Sequence, residues 1–427
     1  MHRRKFIQTA VTGALFSAAP PALTLLQGTP RGGAAMGGWD IAIEDTDGAL
    51  ENARAPVCGG VMLPDRLRRA AAEGRLVLHE KLESARQEPV IPAQCLGPPV
   101  DGETRLCWLM PPGPAGRRVF TLGVGAPFSP LMVVGQTEGQ YEISAQGQRV
   151  LRYNYRQVEP GDLRNSISED NRKYAVARSD YIHPLYGPQG EILTKDWSLD
   201  HPHHRGIYWA WPEVDWRGQR GDLHALQRVF ARPSGRCETV SGPVFAQVMA
   251  ENAWLWEDRE LIVRERATIR AYAANAGGRI VDLEFHFEAV DDPVLLARRG
   301  TSHYGGLNVR LSAVKDQRII KHVAPAANRS RVSWADLSGL FAGGSVAAGV
   351  TIIQLASNPD YPGDWIDYPE LNWLQPTFPA AGTRYEIRPG KPLALRFRLW
   401  VHRGGTPPEE RARAQSEAAN SSWSPLA

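Results

Sequence analysis

Val281-Asp282-Leu283-Glu284-Phe285-His286-Phe287-Glu288 alternates apolar and polar residues without a break. Successive side chains of a strand point to opposite faces. Val281, Leu283, Phe285 and Phe287 are therefore expected on a core, with Asp282, Glu284, His286 and Glu288 on the other side. The stretch reads as one half-buried strand of a large sheet. Working outward, further strands are expected over Leu261 to Ala271, Val346 to Leu355 and Leu393 to His402. Tyr141 to Tyr155 reads as a hairpin turning at Gln146-Gly147-Gln148. Nearer the start, Leu76 to Leu78, Leu106 to Met110 and Arg118 to Leu122 are short strands, the last two separated by the Pro111 to Gly116 turn. Helical patterns are confined to Pro64–Glu73 and Pro407–Asn420. The chain predicts an all-β protein, with a small β-sandwich over 38–136, a large layered antiparallel sheet over 137–405 and a tail over 406–427. Neither a Rossmann glycine fingerprint nor a P-loop is present.

The segment 1–37 reads differently. Met1-His2-Arg3-Arg4-Lys5-Phe6 precedes an apolar run to about Leu26, matching a twin-arginine export signal. Gly13, Ser17 and Pro20-Pro21 interrupt that run, which falls short of the roughly 20 apolar residues a membrane span needs. A periplasmic or secreted protein is expected, with no membrane contact once the signal is removed. The formal charge of +3 includes Arg3, Arg4 and Lys5, and no acidic residue precedes Asp40. The mature chain is thus near neutral, which excludes a basic nucleic-acid binder. Of four cysteines, Cys107 is placed to bridge either Cys58 or Cys95 in an oxidising compartment, and buried free thiols are the equal alternative.

Chemistry concentrates in Asp200-His201-Pro202-His203-His204-Arg205-Gly206, which holds three of the eleven histidines. Imidazole transfers protons near neutral pH and is the commonest metal ligand. In an extended chain His201 and His203 would share one face and His204 the other. A second His-Pro segment, Tyr181-Ile182-His183-Pro184, lies just upstream. Thr301 to Leu307 contributes His303 and Tyr304 beside paired glycines, and Asn358 to Trp365 contributes Tyr361 and Trp365, with Tyr368, Asn372 and Trp373 beyond.

Two chemistries compete for these groups. In metal-free acid/base catalysis on a sugar, His183, His203, His204, His303, Tyr304 and Glu284 supply the proton-transfer groups. Arg205 anchors an anionic or carbonyl oxygen, and Trp209, Trp211, Tyr361 and Trp365 form the binding surface. In a metal site, His201 and His203 are the ligand pair, with His183 or a carboxylate completing the shell of a divalent ion.

The motifs around His183, Asp200–Gly206, Tyr304–Leu307 and Asn358–Pro362 resemble, in the same order, those of the "methane oxygenase PmoA" family over about residues 140 to 405. The family label implies a metal-dependent oxidoreductase. Arg205-Gly206-Ile207-Tyr208-Trp209 leading to Pro212 is also similar to galactose mutarotase-like proteins. That likeness implies a β-supersandwich whose concave face carries His and Glu acid/base groups. The expectation is an exported carbohydrate-active protein, a lyase, epimerase or hydrolase, with a sugar or oligosaccharide as substrate. A non-catalytic glycan-binding protein and a metal-dependent oxidoreductase are the alternatives.

Overall fold

The computed structural model describes residues 39–45, 55–81, 89–97, 103–111, 113, 116–274, 278–323 and 333–422. The twin-arginine segment and its linker, 1–37, lie outside the described residues. Among those described, no helix is long and apolar enough to cross a membrane.

The protein is an all-β sandwich. One eight-stranded sheet runs, in spatial order, Trp365–Tyr368, Trp373–Pro376, Gly306–Arg310, Ile207–Ala210, Tyr181–Leu185, Gln148–Asn154, Gln140–Ala145 and Met132–Thr137. The other runs Val229–Val240, Phe245–Trp256, Glu260–Tyr272, Arg279–Ala289, Leu393–Arg403, Ala348–Gln354, Ser333–Phe341 and Val314–Val323. Neighbours pair antiparallel in both, and the expected hairpin turns at Gln146 and Gly147, both with positive φ. Met132–Thr137 straddles the expected boundary at 136. It joins the first large sheet because Glu138 and Gly139, both at positive φ, turn it back onto Gln140–Ala145.

Alternation in Arg279–Ala289 places Val281, Leu283, Phe285 and Phe287 in the core between the two sheets, fully buried. There Phe285 packs on Trp209 of the opposing sheet with ring centroids 4.0 Å apart. The other face of this strand carries ion pairs. Asp282 pairs with buried Arg398, and Glu284 pairs with His286 and Arg396. Part of that outward face is covered by an apolar cluster joining Phe245, Tyr272, Ile280 and Trp400 to Cys107 of the N-terminal strands. Gln94 Oε1 fixes this contact by accepting the amides of Val244 and Phe245 at 3.0 and 3.1 Å.

Those N-terminal strands form a four-stranded and a three-stranded sheet around their own core of Ile43, Val57, Leu78, Trp108 and Phe120. The first helical pattern forms the helix Asp65–Ala72, which buries Leu67 and Ala70. The second forms Glu409–Ser422, and its Ala418 completes the same small core. Cys58 and Cys107 are register partners with Sγ atoms 2.6 Å apart, whereas Cys95 sits opposite Leu106.

The large interior also holds two carboxyl groups. Glu265 accepts the indole N–H of Trp209 at 2.7 Å and of Trp254 at 2.6 Å, which suits an ionised carboxylate. Asp180 accepts from the Tyr153 hydroxyl and Asn252, and burial beside Glu265 raises its pKa far above the usual range. Asp180 therefore keeps its proton in the folded protein. The unfolded group would lose it above about pH 4. The stabilisation from this pair is complete below that pH and declines as pH rises towards the folded pKa, at up to about 1.4 kcal/mol per pH unit. Asp180→Asn supplies the same donor without a titrating proton. Denaturant melts between pH 5 and 9 are expected to show a smaller loss of stability with rising pH in Asp180→Asn than in the wild type. Equal slopes would remove the bound proton from this account.

Candidate metal centre

The strand Ile207–Ala210 positions the centre. Trp209 points into the sandwich, so its neighbour Tyr208 points out through the other face. Two connecting segments fold over that face. Residues 201–204 form a tight turn, in which the His204 amide donates to the His201 carbonyl at 2.9 Å. Residues 222–227 form a loop closed by reciprocal backbone bonds between Asp222 and Gln227, with Asp222 Oδ1 accepting the Ala225 amide. That loop delivers His224, whose Nε2 lies 2.9 Å from the Tyr208 hydroxyl.

His203, His204 and His224 converge, each offering one ring nitrogen, and the three nitrogens lie within 4.8 Å of one another. The Nδ1 atoms of all three are buried with no hydrogen-bond partner. An orphaned buried nitrogen costs about 1–3 kcal/mol, and native proteins rarely carry three side by side. One nitrogen from each ring is close enough for a single divalent ion to take all three, so the residues fit a metal. With Nδ1 of His224 on an ion, its Nε2–H would donate to Tyr208, the kind of outer partner that fixes a ligand's tautomer.

Electrostatics favour the ligand state of these rings. Burial, reinforced by the charges of Arg178, His201 and Arg299, lowers His203 to about 3. Burial and mutual repulsion hold His204 and His224 well below the ordinary imidazole value. All three are neutral at physiological pH, as metal ligands must be. Neutral rings with so low a basicity are poor proton carriers at pH 7. Aromatic groups wall the centre: Trp373 meets His204 edge-on at 4.3 Å, Tyr304 lies 4.8 Å from His224, and Tyr174 lies 5.1 Å from His203.

The residues expected from sequence are dispersed by the fold. His203, His204 and Tyr304 meet at the centre. His201 stacks on His204 at 4.7 Å, but its Nδ1 is held by Asp200 at 2.9 Å, on the rim. The expected His201–His203 pair assumed an extended chain. The tight turn instead brings His203 and His204 together. Arg205 is fully buried and fully engaged by Asp196, by Tyr181 and by the face of Trp197, so it cannot anchor a ligand. His183 bonds Thr194 Oγ1 at 2.9 Å and lines a separate cavity with Glu191, Lys195 and Asp196. His303 is exposed and is not among the imidazoles that converge.

Trp209 and Trp211 are core residues. Their N–H groups are bound to Glu265 and to the Phe378 carbonyl, and neither offers a surface to a sugar. Trp365 begins the edge strand Trp365–Tyr368, donates to Ser333 and packs on the large core; Tyr361 lies in the loop before that strand. Glu284 lies on the outward face of the opposing sheet, where His286 and Arg396 hold it at about 2 despite its burial. His224 was missed from the sequence because it lies 20 positions beyond His204 with no motif around it, and Arg178 is equally silent; Trp373 was noted only as lying beyond the Asn358–Trp365 segment.

Residues 140–417, well over half of the chain, match a family described as "Family of unknown function (DUF6807)". The match extends into the C-terminal helix and carries neither the PmoA name nor a mutarotase-like one. No curated protein matches the chain.

Proposed function

Because this chain belongs to DUF6807, whose function is unknown, its activity has to be argued from the site, and we propose that it is a three-histidine metalloprotein acting on a carbohydrate. The observation that carries this reading is the convergence of three neutral imidazoles, each with an unpartnered buried Nδ1, within 4.8 Å. Three protein ligands are the number a catalytic ion takes when it keeps a position for water or substrate. Such an ion, when bound, supplies Lewis-acid activation of an oxygen atom. His203, His204 and His224 hold it and remain unprotonated while doing so. Tyr208 orients His224. Tyr304, whose hydroxyl lies 3.2 Å from Arg299 Nε, is the proton-transfer group at the mouth. Trp373 and Tyr304 offer aromatic surface for a sugar face, the part first given to Trp209 and Trp211.

The carbohydrate class is supported by the all-β sandwich architecture and by the resemblance of the Arg205–Trp209 segment to mutarotase-like proteins, which is an argument from fold alone. Lyase, epimerase and hydrolase chemistry all fit a Lewis acid beside a tyrosine. The PmoA resemblance points instead to oxidation, and the same three ligands would serve it with a redox metal. Metal identity separates the two. Export by the twin-arginine route, which carries folded proteins, is part of this proposal and fits a centre assembled before translocation.

Elemental analysis of the purified mature protein tests the reading. About one equivalent of a divalent transition metal per chain is expected, removable by a chelator and restored by the free ion, with the melting temperature falling and recovering in step. Zinc would direct the substrate search to hydrolysis and elimination, and iron or copper to oxidation. Protein that stays metal-free after supplementation would sink the proposal.

A further inference from the structure

Arg310 ends the strand Gly306–Arg310 and is the register partner of Trp373, the ring that meets His204 edge-on. It is only 7% exposed, yet its Nε and Nη1 are buried without a hydrogen-bond partner. Nη2 makes a long 3.5 Å contact with Ser198 Oγ and lies 4.0 Å from Asp200 Oδ2. Asp200 itself is exposed and bound to His201 at 2.9 Å. This guanidinium is therefore buried and almost unspent, in contrast to Arg205, whose donors are taken. A permanent charge taken out of water without a close partner is costly, and native structures pair it.

The charge balance around the centre points the same way. The three imidazoles bring no negative charge to a divalent ion. Arg178, Arg299 and Arg310 all stand near enough to act on them. Of the acidic neighbours, Asp222 is engaged by Arg299 and Asp200 by His201, while Glu370 reaches Arg310 only through its charge, without a hydrogen bond to it. The centre calls for an anion.

We propose that Arg310 is the anion subsite of this centre and that the substrate carries a carboxylate, which makes it an acidic sugar of the uronate class. A carboxylate matches the planar fork of a single guanidinium. A dianionic phosphate would bring twice the charge to a single guanidinium that has Asp200 at its edge. The subsite takes its place from the metal-centre reading but is tested separately from it. It also assigns to Arg310 the anchoring part expected of Arg205.

The test is calorimetric titration of the full-length mature protein, metal-supplemented, with D-galacturonate, D-glucuronate, D-galactose, D-glucose and inorganic phosphate. At least one uronate is expected to bind at least about tenfold more tightly than its neutral parent, the order of one charge-assisted contact. In Arg310→Gln that preference is expected to vanish, with metal content unchanged and melting temperature unchanged or raised, because a buried unpaired charge has been removed. Uronates that bind no better than their parents would overturn the subsite, as would phosphate binding more tightly than either uronate. A preference that survives in Arg310→Gln would also overturn it, and so would a variant that fails to fold. An Arg310-dependent uronate preference in protein that holds no metal would uphold the subsite and defeat the metal reading. Metal without a uronate preference would do the reverse.

Discussion

His224→Ala is expected to strip the centre of its metal, reducing occupancy from about one equivalent to a small fraction and lowering affinity by well over 100-fold. The magnitude follows from the ligand count. Losing an outer-shell partner alone typically costs about 10–100-fold, and His224 is one of only three donors that converge here. The apo fold should survive, since His224 sits on a surface-spanning loop held by Asp222 and Gln227 backbone bonds and by Arg178, which binds the His224 carbonyl rather than its ring. Adding metal should therefore raise the melting temperature of the wild type and leave that of His224→Ala unmoved. At a free concentration of about 100 times Kd the wild-type gain is about 2.7 kcal/mol. His201→Ala is the control. Its Nδ1 is held by Asp200, so that variant should retain the ion. Metal kept by His224→Ala and lost from His201→Ala would restore the ligand pair read from sequence.

Arg398→Ala is expected to be the most damaging single change away from the centre. Arg398 is fully buried, and its Nε and Nη2 bond the two Asp282 oxygens at 2.7 and 2.9 Å. Removing it strips both close hydrogen bonds from a carboxylate that is 2% exposed, leaving the Tyr272 hydroxyl and the charge of Arg270, its register partner on the neighbouring strand. Breaking one side of a buried pair costs about 3–5 kcal/mol. At about 2–4 °C per kcal/mol for a domain of this size, the melting temperature should fall on the order of 10 °C. The double change Asp282→Leu/Arg398→Met removes both charges and should recover most of the loss. Metal content should be unaffected in every folded variant, because this pair lies on the outward face of the opposing sheet. A single mutant as stable as the wild type would mean that water or another group satisfies Asp282 in solution.

The strand that opened the reading was legible in full on its buried side. Val281, Leu283, Phe285 and Phe287 face the core because a period of two leaves no other arrangement. The hairpin at Gln146-Gly147 and both helices were readable for the same local reasons, turn residues and an amphipathic or alanine-rich run. The polar side of the same strand was not legible. Whether Asp282 and Glu284 meet substrate, water or arginine depends on which elements lie across them. Arg396 and Arg398 come from a strand more than 100 positions away. Trp209 and Trp211 show the same ambiguity, since an aromatic pair at even spacing serves a core as well as a sugar, and the opposing Phe285 and Phe287 decided for the core.

By itself the sequence determined the all-β class, the principal strands and the concentration of histidine over 201–204, because these depend on side-chain period, turn chemistry and local density of imidazole. Tertiary structure alone decided the composition of the centre. A turn in place of a strand turned His204 to meet His203. A loop fixed by its own backbone bonds brought in His224, and strand pairing set Arg310 beside Trp373. Each of these depends on segments distant in the chain and adjacent in space, and no local pattern encodes that adjacency.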